Sequence, residues 1–228
     1  KWGRWLGRWT AEEHLHAIAL RNYLVVTREI DPTANEDVRV EHVMKGYRAD
    51  TYSQIERLVF MAFHERSYAV YCRNLEAQIA EPVLNGLMGR IARDEERHEE
   101  FFGNLVAHLL EYSLDETIDA IARRAAELDV VGADIDAYKD KIQAVAEAGI
   151  FDEAILRKVI SDRITAWGLA DEPKLRERAD TVRRVLPGDG ERAGGSDPGC
   201  STVPRSSGPG TAGDDAARAP AERAVLDR

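Results

Sequence analysis

The sequence predicts an all-α protein, and three observations carry that expectation. No segment of the 228-residue chain alternates convincingly with the period of two that a half-buried strand requires. Several long stretches instead repeat apolar residues at helical spacing. The composition is rich in Ala, Leu, Arg and Glu, with 44% apolar and 32% charged residues and no long uncharged apolar run. Such a chain is expected to be soluble and helix-dominated, with no membrane span.

The helices follow in order. Over residues 10–28, Leu15, Ile18, Ala19, Tyr23 and Val26 fall on one broad face, which predicts an amphipathic helix. Asp31-Pro32 reads as a turn, followed by a short helix near 36–45 that Gly46 ends. A long helix over about 52–80 carries Ile55, Leu58, Val59, Ala62, Tyr68 and Tyr71. Pro82 suits the first turn of another, running to about Tyr112. Ser113 and Glu116 have the spacing of a capping box and open a helix near 114–128. Further helices are expected near 136–148, 151–168 and 171–186, with Gly149 and Gly168 as stops.

After Leu186 the character changes. Residues 187–228 hold 8 of the 17 glycines and 5 of the 8 prolines, and no Ile, Phe, Tyr or Trp. A segment this poor in apolar surface cannot offset the entropy of ordering itself. The expected organisation is a helical domain over 1–186 and a disordered, non-catalytic tail over 187–228.

A formal charge of -10 argues against nucleic acid as the main partner. The two cysteines, Cys72 in a helical stretch and Cys200 in the tail, make no disulfide framework, which points to a cytoplasmic protein. The opening KWGRWLGRW has no apolar signal core and reads as though the chain begins inside a domain. Its Trp2, Trp5 and Trp9, interleaved with Lys1, Arg4 and Arg8, fit helix packing better than membrane or single-strand binding.

Two Glu-x-x-His pairs carry the chemistry. Glu13 with His16, and Glu95 with His98, each share a helix face. Two such motifs, with further glutamates from other helices, build a di-metal carboxylate site inside a bundle. Carboxylate oxygen and imidazole suit iron or manganese and leave positions open for dioxygen. Glu65, in FMAFHERSYAVY, is a charged residue flanked by large apolar ones, and a metal would offset the cost of burying it. Blander readings stand beside these: Thr10-x-x-Glu13 also spells a capping box, and Glu65 could pair with Arg66 or Arg57 on a polar face. His14 and His64 read as surface or supporting residues, and His42 and His108 lack ligand spacing.

Taken together, WGRWLGRWTAEEHLH, FHER and ARDEERHEEFF resemble the soluble acyl-acyl carrier protein desaturases of plants and actinobacteria. The intervals agree: 52 residues from Glu13 to Glu65 and 30 more to Glu95. The resemblance extends over about residues 2–180. It implies a ferritin-like four-helix bundle core with additional helices, and two irons bridged by Glu13 and Glu95. His16 and His98 would ligate one iron each, Glu65 would be a terminal ligand, and Asp94 would orient His16 from behind. It also implies a carrier-bound acyl substrate, a ferredoxin-type electron donor, a homodimer, and cis double-bond formation in fatty acid biosynthesis. The family's remaining terminal glutamate lies upstream of the tryptophan-rich segment, where this sequence begins. The expectation is therefore five of six ligands, a bundle without its first helix, and little activity from these residues alone. Tyr68 stands where plant enzymes carry a small hydroxyl residue near the oxygen site. The alternatives are a non-catalytic relative that binds acyl carrier protein or a partner subunit, and a ferritin-like iron oxidase.

Overall fold

Among the described residues, helices form where the periodicity predicts them, and caps set several of their ends. The computed structural model describes residues 2–46, 52–130, 132 and 138–178. The predicted tail, Cys200 and the second half of the 171–186 helix lie outside the described residues. Among those described there is no strand. The helices are α1 (Trp2–Val26), α2 (Pro32–Lys45), α3 (Gln54–Gln78), α4 (Pro82–Tyr112), α5 (Leu114–Glu127), α6 (Lys139–Glu147) and α7 (Glu153–Ala166), and residues 173–178 are also helical.

Several ends have a clear chemical cause. The Asp31 carboxylate accepts from the Thr33 and Ala34 N–H groups with Pro32 in the first turn, so the expected turn is the start of α2. Ser53 and Glu56 form a complete capping box at α3, and the Glu81 carboxylate caps α4. Gly149 and Gly168 stop α6 and α7 in the left-handed region, φ 66° and 74°, and the residues after them donate five residues back, Ile150 to Val145 and Leu169 to Ile164. Arg28 plays the same part after α1 at φ 62°, without a glycine's freedom.

Three expectations fail. α1 begins at Trp2, so Thr10 is interior; its hydroxyl donates to the Leu6 carbonyl, and it caps nothing. Ser113 makes no side-chain cap at α5; it closes α4 with φ -142° and offers only its carbonyl, to Thr117. The apolar face of α1 also points outward, with Leu15 59%, Ile18 39% and Val26 80% exposed, while His16 is the buried residue. The helix turns its acidic and histidine face to its neighbours, because that is where its polar partners stand.

α3 and α4 pack along their lengths, with α5 against both, α7 on α3 and α1 on α4. The Arg73 guanidinium grips Glu96 across the α3–α4 seam through two hydrogen bonds of 2.8 Å. Two apolar clusters fill the interior. One gathers Val59 and Phe63 of α3, Phe102 and Val106 of α4, and Ile118 and Ile121 of α5. The other gathers Cys72, Met88, Ile91 and Ala92. Between them along α3 and α4 runs a polar layer holding Glu65, Glu95 and His98, all buried. Carboxylates placed between two apolar plugs are cut off from water, and that isolation is what gives the layer its chemistry.

Candidate metal centre

Three helices supply the site. α1 brings Glu12, Glu13 and His16, α3 brings Glu65, and α4 brings Asp94, Glu95 and His98. One ligand atom each from Glu13, Glu65, Glu95 and His98 falls within 4.8 Å of the others. His98 Nδ1 lies 3.0 Å from Glu13 Oε1, 3.2 Å from Glu95 Oε2 and 3.7 Å from Glu65 Oε2. His16 Nδ1 stands 3.0 Å from the other Glu95 oxygen, Oε1, and the two imidazoles are 6.2 Å apart. Glu95 therefore lies between the two histidines, with one oxygen toward each.

The outer ring nitrogens make a crossed pattern. His98 Nε2 meets Glu12 Oε2 at 3.0 Å, and His16 Nε2 meets Asp94 Oδ2 at 3.5 Å. Each motif thus reads acid-Glu-x-x-His, and its leading acid reaches across to the histidine of the other helix. Glu12 is held from outside by Arg8 at 2.8 Å, and Asp94 by Arg90 at 3.0 Å and Arg97 at 2.6 Å. The sequence reading found Asp94 and missed Glu12. The signal was present in the parallel between Glu12-Glu13 and Asp94-Glu95.

The electrostatics follow from burial. Burial pushes the Glu65 carboxyl up to about 8, with Glu95 and Glu13 adding to the rise and the nearby His98 imidazole opposing it. Burial also disfavours the charge on Glu95, but the imidazoles of His16 and His98, with Glu65 beside them, outweigh it and hold that carboxyl at about 2. For His98 burial opposes the proton, and Glu13, Glu65, Glu95 and Glu12 together override it, to about 12. His16 is raised too, its burial outweighed mainly by Glu95. Burial and the packed acids together favour a proton on Glu65 and on the His98 imidazole.

Does this donor set fit a metal? Three buried atoms facing the centre, Glu13 Oε1, His16 Nδ1 and Glu95 Oε1, have no hydrogen-bond partner, although each has a polar atom 3.0 Å away. Buried polar atoms are rarely left so. The distances are short while the angles are wrong for N–H donation, which is what atoms arranged around a common ion would show. The polar-face alternative for Glu65 does not hold, since the residue is 2% exposed and its neighbours are His98 and Glu95. His14 is exposed, and His64 stacks on Phe60.

An all-α chain that packs two acid-Glu-x-x-His helices against each other, with a third carboxylate helix beside them, has the build of the ferritin-like carboxylate proteins. Residues 1–193 match the family model described as fatty acid desaturase, and the chain belongs to that family. It is 74% identical over 176 residues to "Putative acyl-acyl-carrier-protein desaturase DesA2" of Mycobacterium tuberculosis, covering 77% of this chain and 64% of that protein. A chloroplastic acyl-acyl-carrier-protein desaturase 7 of Oryza sativa is 28% identical over 206 residues, covering 84% of this chain and 48% of its own length. The X-ray structure of DesA2 superposes with a TM-score of 0.70 at 69% identity, over 78% of this chain and 69% of that one. The chain thus spans less than two thirds of the length of these two sequence relatives.

Proposed function

We propose that this chain carries the oxygen-activating site of an acyl-acyl carrier protein desaturase, which introduces a cis double bond into a carrier-bound fatty acyl chain. The observation that carries the reading is the convergence of Glu13, Glu65, Glu95 and His98 on one point, with His16 beyond Glu95. Glu13, Glu65 and Glu95 would hold two irons together with His16 and His98, whose Nδ1 atoms face the carboxylates. Bound there, the irons supply the activation of dioxygen that removes hydrogen from unactivated methylenes.

The chain's own residues do the rest. Glu12 and Asp94 fix the tautomer by accepting the outer N–H of His98 and His16, leaving Nδ1 free to ligate. Glu65, held protonated by its burial, would give up that proton to serve as a ligand and so supply negative charge to a bound cation. The two apolar clusters flank the layer along α3 and α4 and keep Glu65, Glu95 and His98 buried. A cavity of about 340 Å³ opens beside Glu13 and Glu65, walled by Trp9, Phe60 and Met61, with Tyr52 and Arg124 also lining it. Its apolar wall and its position against the carboxylates support a chain of methylenes lying next to the metal layer. By the same family reading, a ferredoxin-type carrier supplies the electrons, acyl carrier protein presents the substrate, and the working protein is a cytoplasmic homodimer.

The test is iron per chain after anaerobic loading, with gas chromatography of the acyl products formed with ferredoxin, its reductase and acyl carrier protein substrate. Iron binding that disappears in Glu95→Ala and His98→Ala is the expected result, with oxygen-dependent unsaturated product forming once a segment carrying a further carboxylate completes the ligand set. Iron binding that survives both substitutions would overturn the ligand assignment. Bound iron with no product even from the completed ligand set would favour the non-catalytic relative.

A further inference from the structure

The tryptophans leading α1 are the part of the motif that the proposed chemistry leaves unused. Trp5 has its ring 6.4 Å from the His98 ring, edge-on at 82°. It is clamped there by Phe101, stacked at 3.4 Å, and by Phe102, edge-on at 5.3 Å. Trp2 lies 6.5 Å from Trp5 at an interplanar angle of 25° and is 50% exposed. The route from His98 to the surface therefore runs ring to ring, with no centroid separation above 6.5 Å. Core packing accounts for Trp5 and Trp9, which rest on the apolar cluster. Trp2 rests on Phe101 as well, at 5.5 Å, and its half-exposed indole continues the line outward.

We propose that Trp5 and Trp2 form an escape route for oxidising equivalents, from the metal layer at His98 to a reductant in solution, used when no acyl chain is present. The inference rests on the oxygen-activating reading above. Its electron balance is simple. Dioxygen needs four electrons and four protons to become two waters, and two ferrous ions supply two of the electrons. With a substrate present, the other two leave a pair of C–H bonds. Without one, Trp5 gives up one electron at a time and its indole nitrogen releases the proton. Trp2 refills Trp5, and a thiol or ascorbate at the surface refills Trp2 with one electron and one proton. Indole is among the few side chains that can be oxidised by one electron and restored. A neighbouring unprotected carboxylate or apolar residue would be damaged instead.

The experiment loads the full chain with ferrous iron anaerobically, admits oxygen without acyl substrate, and maps oxidised residues by peptide mass spectrometry, with freeze-quench electron paramagnetic resonance for an indole radical. The expected result is oxygen addition concentrated at Trp2 and Trp5, falling to background when ascorbate is added or iron is omitted. Met44, 80% exposed, reports freely diffusing oxidant and should stay at background. Trp5→Phe should keep its iron and lose the marking at Trp2. Should that variant fail to fold, Trp2→Phe at the exposed end should trap the damage at Trp5 and raise its marking. Marking of Trp2 that is unchanged by Trp5→Phe or by leaving out iron, or that follows exposure and favours Met44, overturns the route. Iron-dependent oxygen uptake without marking at either tryptophan refutes the route alone, whereas bound iron with no oxygen uptake refutes the oxygen-activating reading and the route with it.

Discussion

Removing Glu12 isolates the role of a residue that touches no metal in the proposed site. Its carboxylate accepts from His98 Nε2 at 3.0 Å, and its side chain is 17% exposed, while His98 is 2% exposed. In Glu12→Ala the outer N–H of His98 loses its acceptor inside the protein. An unsatisfied buried donor costs about 1–3 kcal/mol. Water can follow a partly open side chain into the gap, so the metal-free protein should lose about 1 kcal/mol, at the low end of that range. The metal should lose more, because the ring is then free to turn and its inner nitrogen becomes less basic. Loss of such a support typically weakens binding about 10–100-fold. Glu12→Gln keeps an oxygen at the same place and should fall about tenfold or less. Arg8→Ala removes only the outer clamp on Glu12, an ion pair whose arginine is 64% exposed and screened by solvent, and should leave stability and affinity nearly unchanged. The assay is competition for Mn(II) or Fe(II) against a chromophoric chelator under anaerobic conditions, with urea unfolding of the metal-free proteins alongside. Affinity in Glu12→Ala within about twofold of the parent, below even the weak end of the expected range, would refute the supporting role. An equal loss in Arg8→Ala would show that the effect is surface charge.

Three further outcomes follow. A carboxyl raised to about 8 means that the folded protein holds a proton the unfolded chain releases above 4.5, so Glu65 drains stability from the metal-free protein as pH climbs through that window. Glu65→Gln should match the parent near the bottom of the window and exceed it above the top by on the order of 2–4 kcal/mol, while abolishing metal binding; equal gaps in urea unfolding at both ends would contradict this. Arg28→Gly relieves a left-handed residue at φ 62° and should raise stability by about 1 kcal/mol, read as an upward shift in Tm. Phe63→Ala empties a site with no solvent exposure beside the metal layer and should cost about 3–5 kcal/mol by urea denaturation.

Helix positions were legible where a residue type has one dominant use. Pro82 opens α4, and Gly149 and Gly168 close α6 and α7, because few other roles suit those residues there. Arg28 stops α1 without any sign in its chemistry that it would accept a left-handed backbone. Serine is more ambiguous. Ser53-x-x-Glu56 is a working box and Ser113-x-x-Glu116 is not, although the two share the same spelling. The difference lies in where each preceding helix ends, a tertiary fact. The face of α1 misled for a related reason. Periodicity assumes that the apolar side turns inward, but on α1 the buried partners are His98, Glu95 and Asp94, which draw the polar side in. The site was legible because Glu-x-x-His occurs twice. Glu12 was hidden by its neighbour, since the three-residue spacing to His16 singles out Glu13 and gives Glu12 no role of its own.

The crossed acids also fix the register of the two helices. Because Glu12 of α1 serves His98 of α4, while Asp94 of α4 serves His16 of α1, sliding either helix by one turn of about 5.4 Å would break both pairs at once. Alignment of the ligands therefore does not wait for the ion, since the helices are already locked by an exchange that uses none of the metal-facing atoms. Sequence drift inherits the same constraint. A tolerated change at Glu12 should be answered on α4, and one at Asp94 on α1, so these two short motifs, 82 positions apart, vary as one unit.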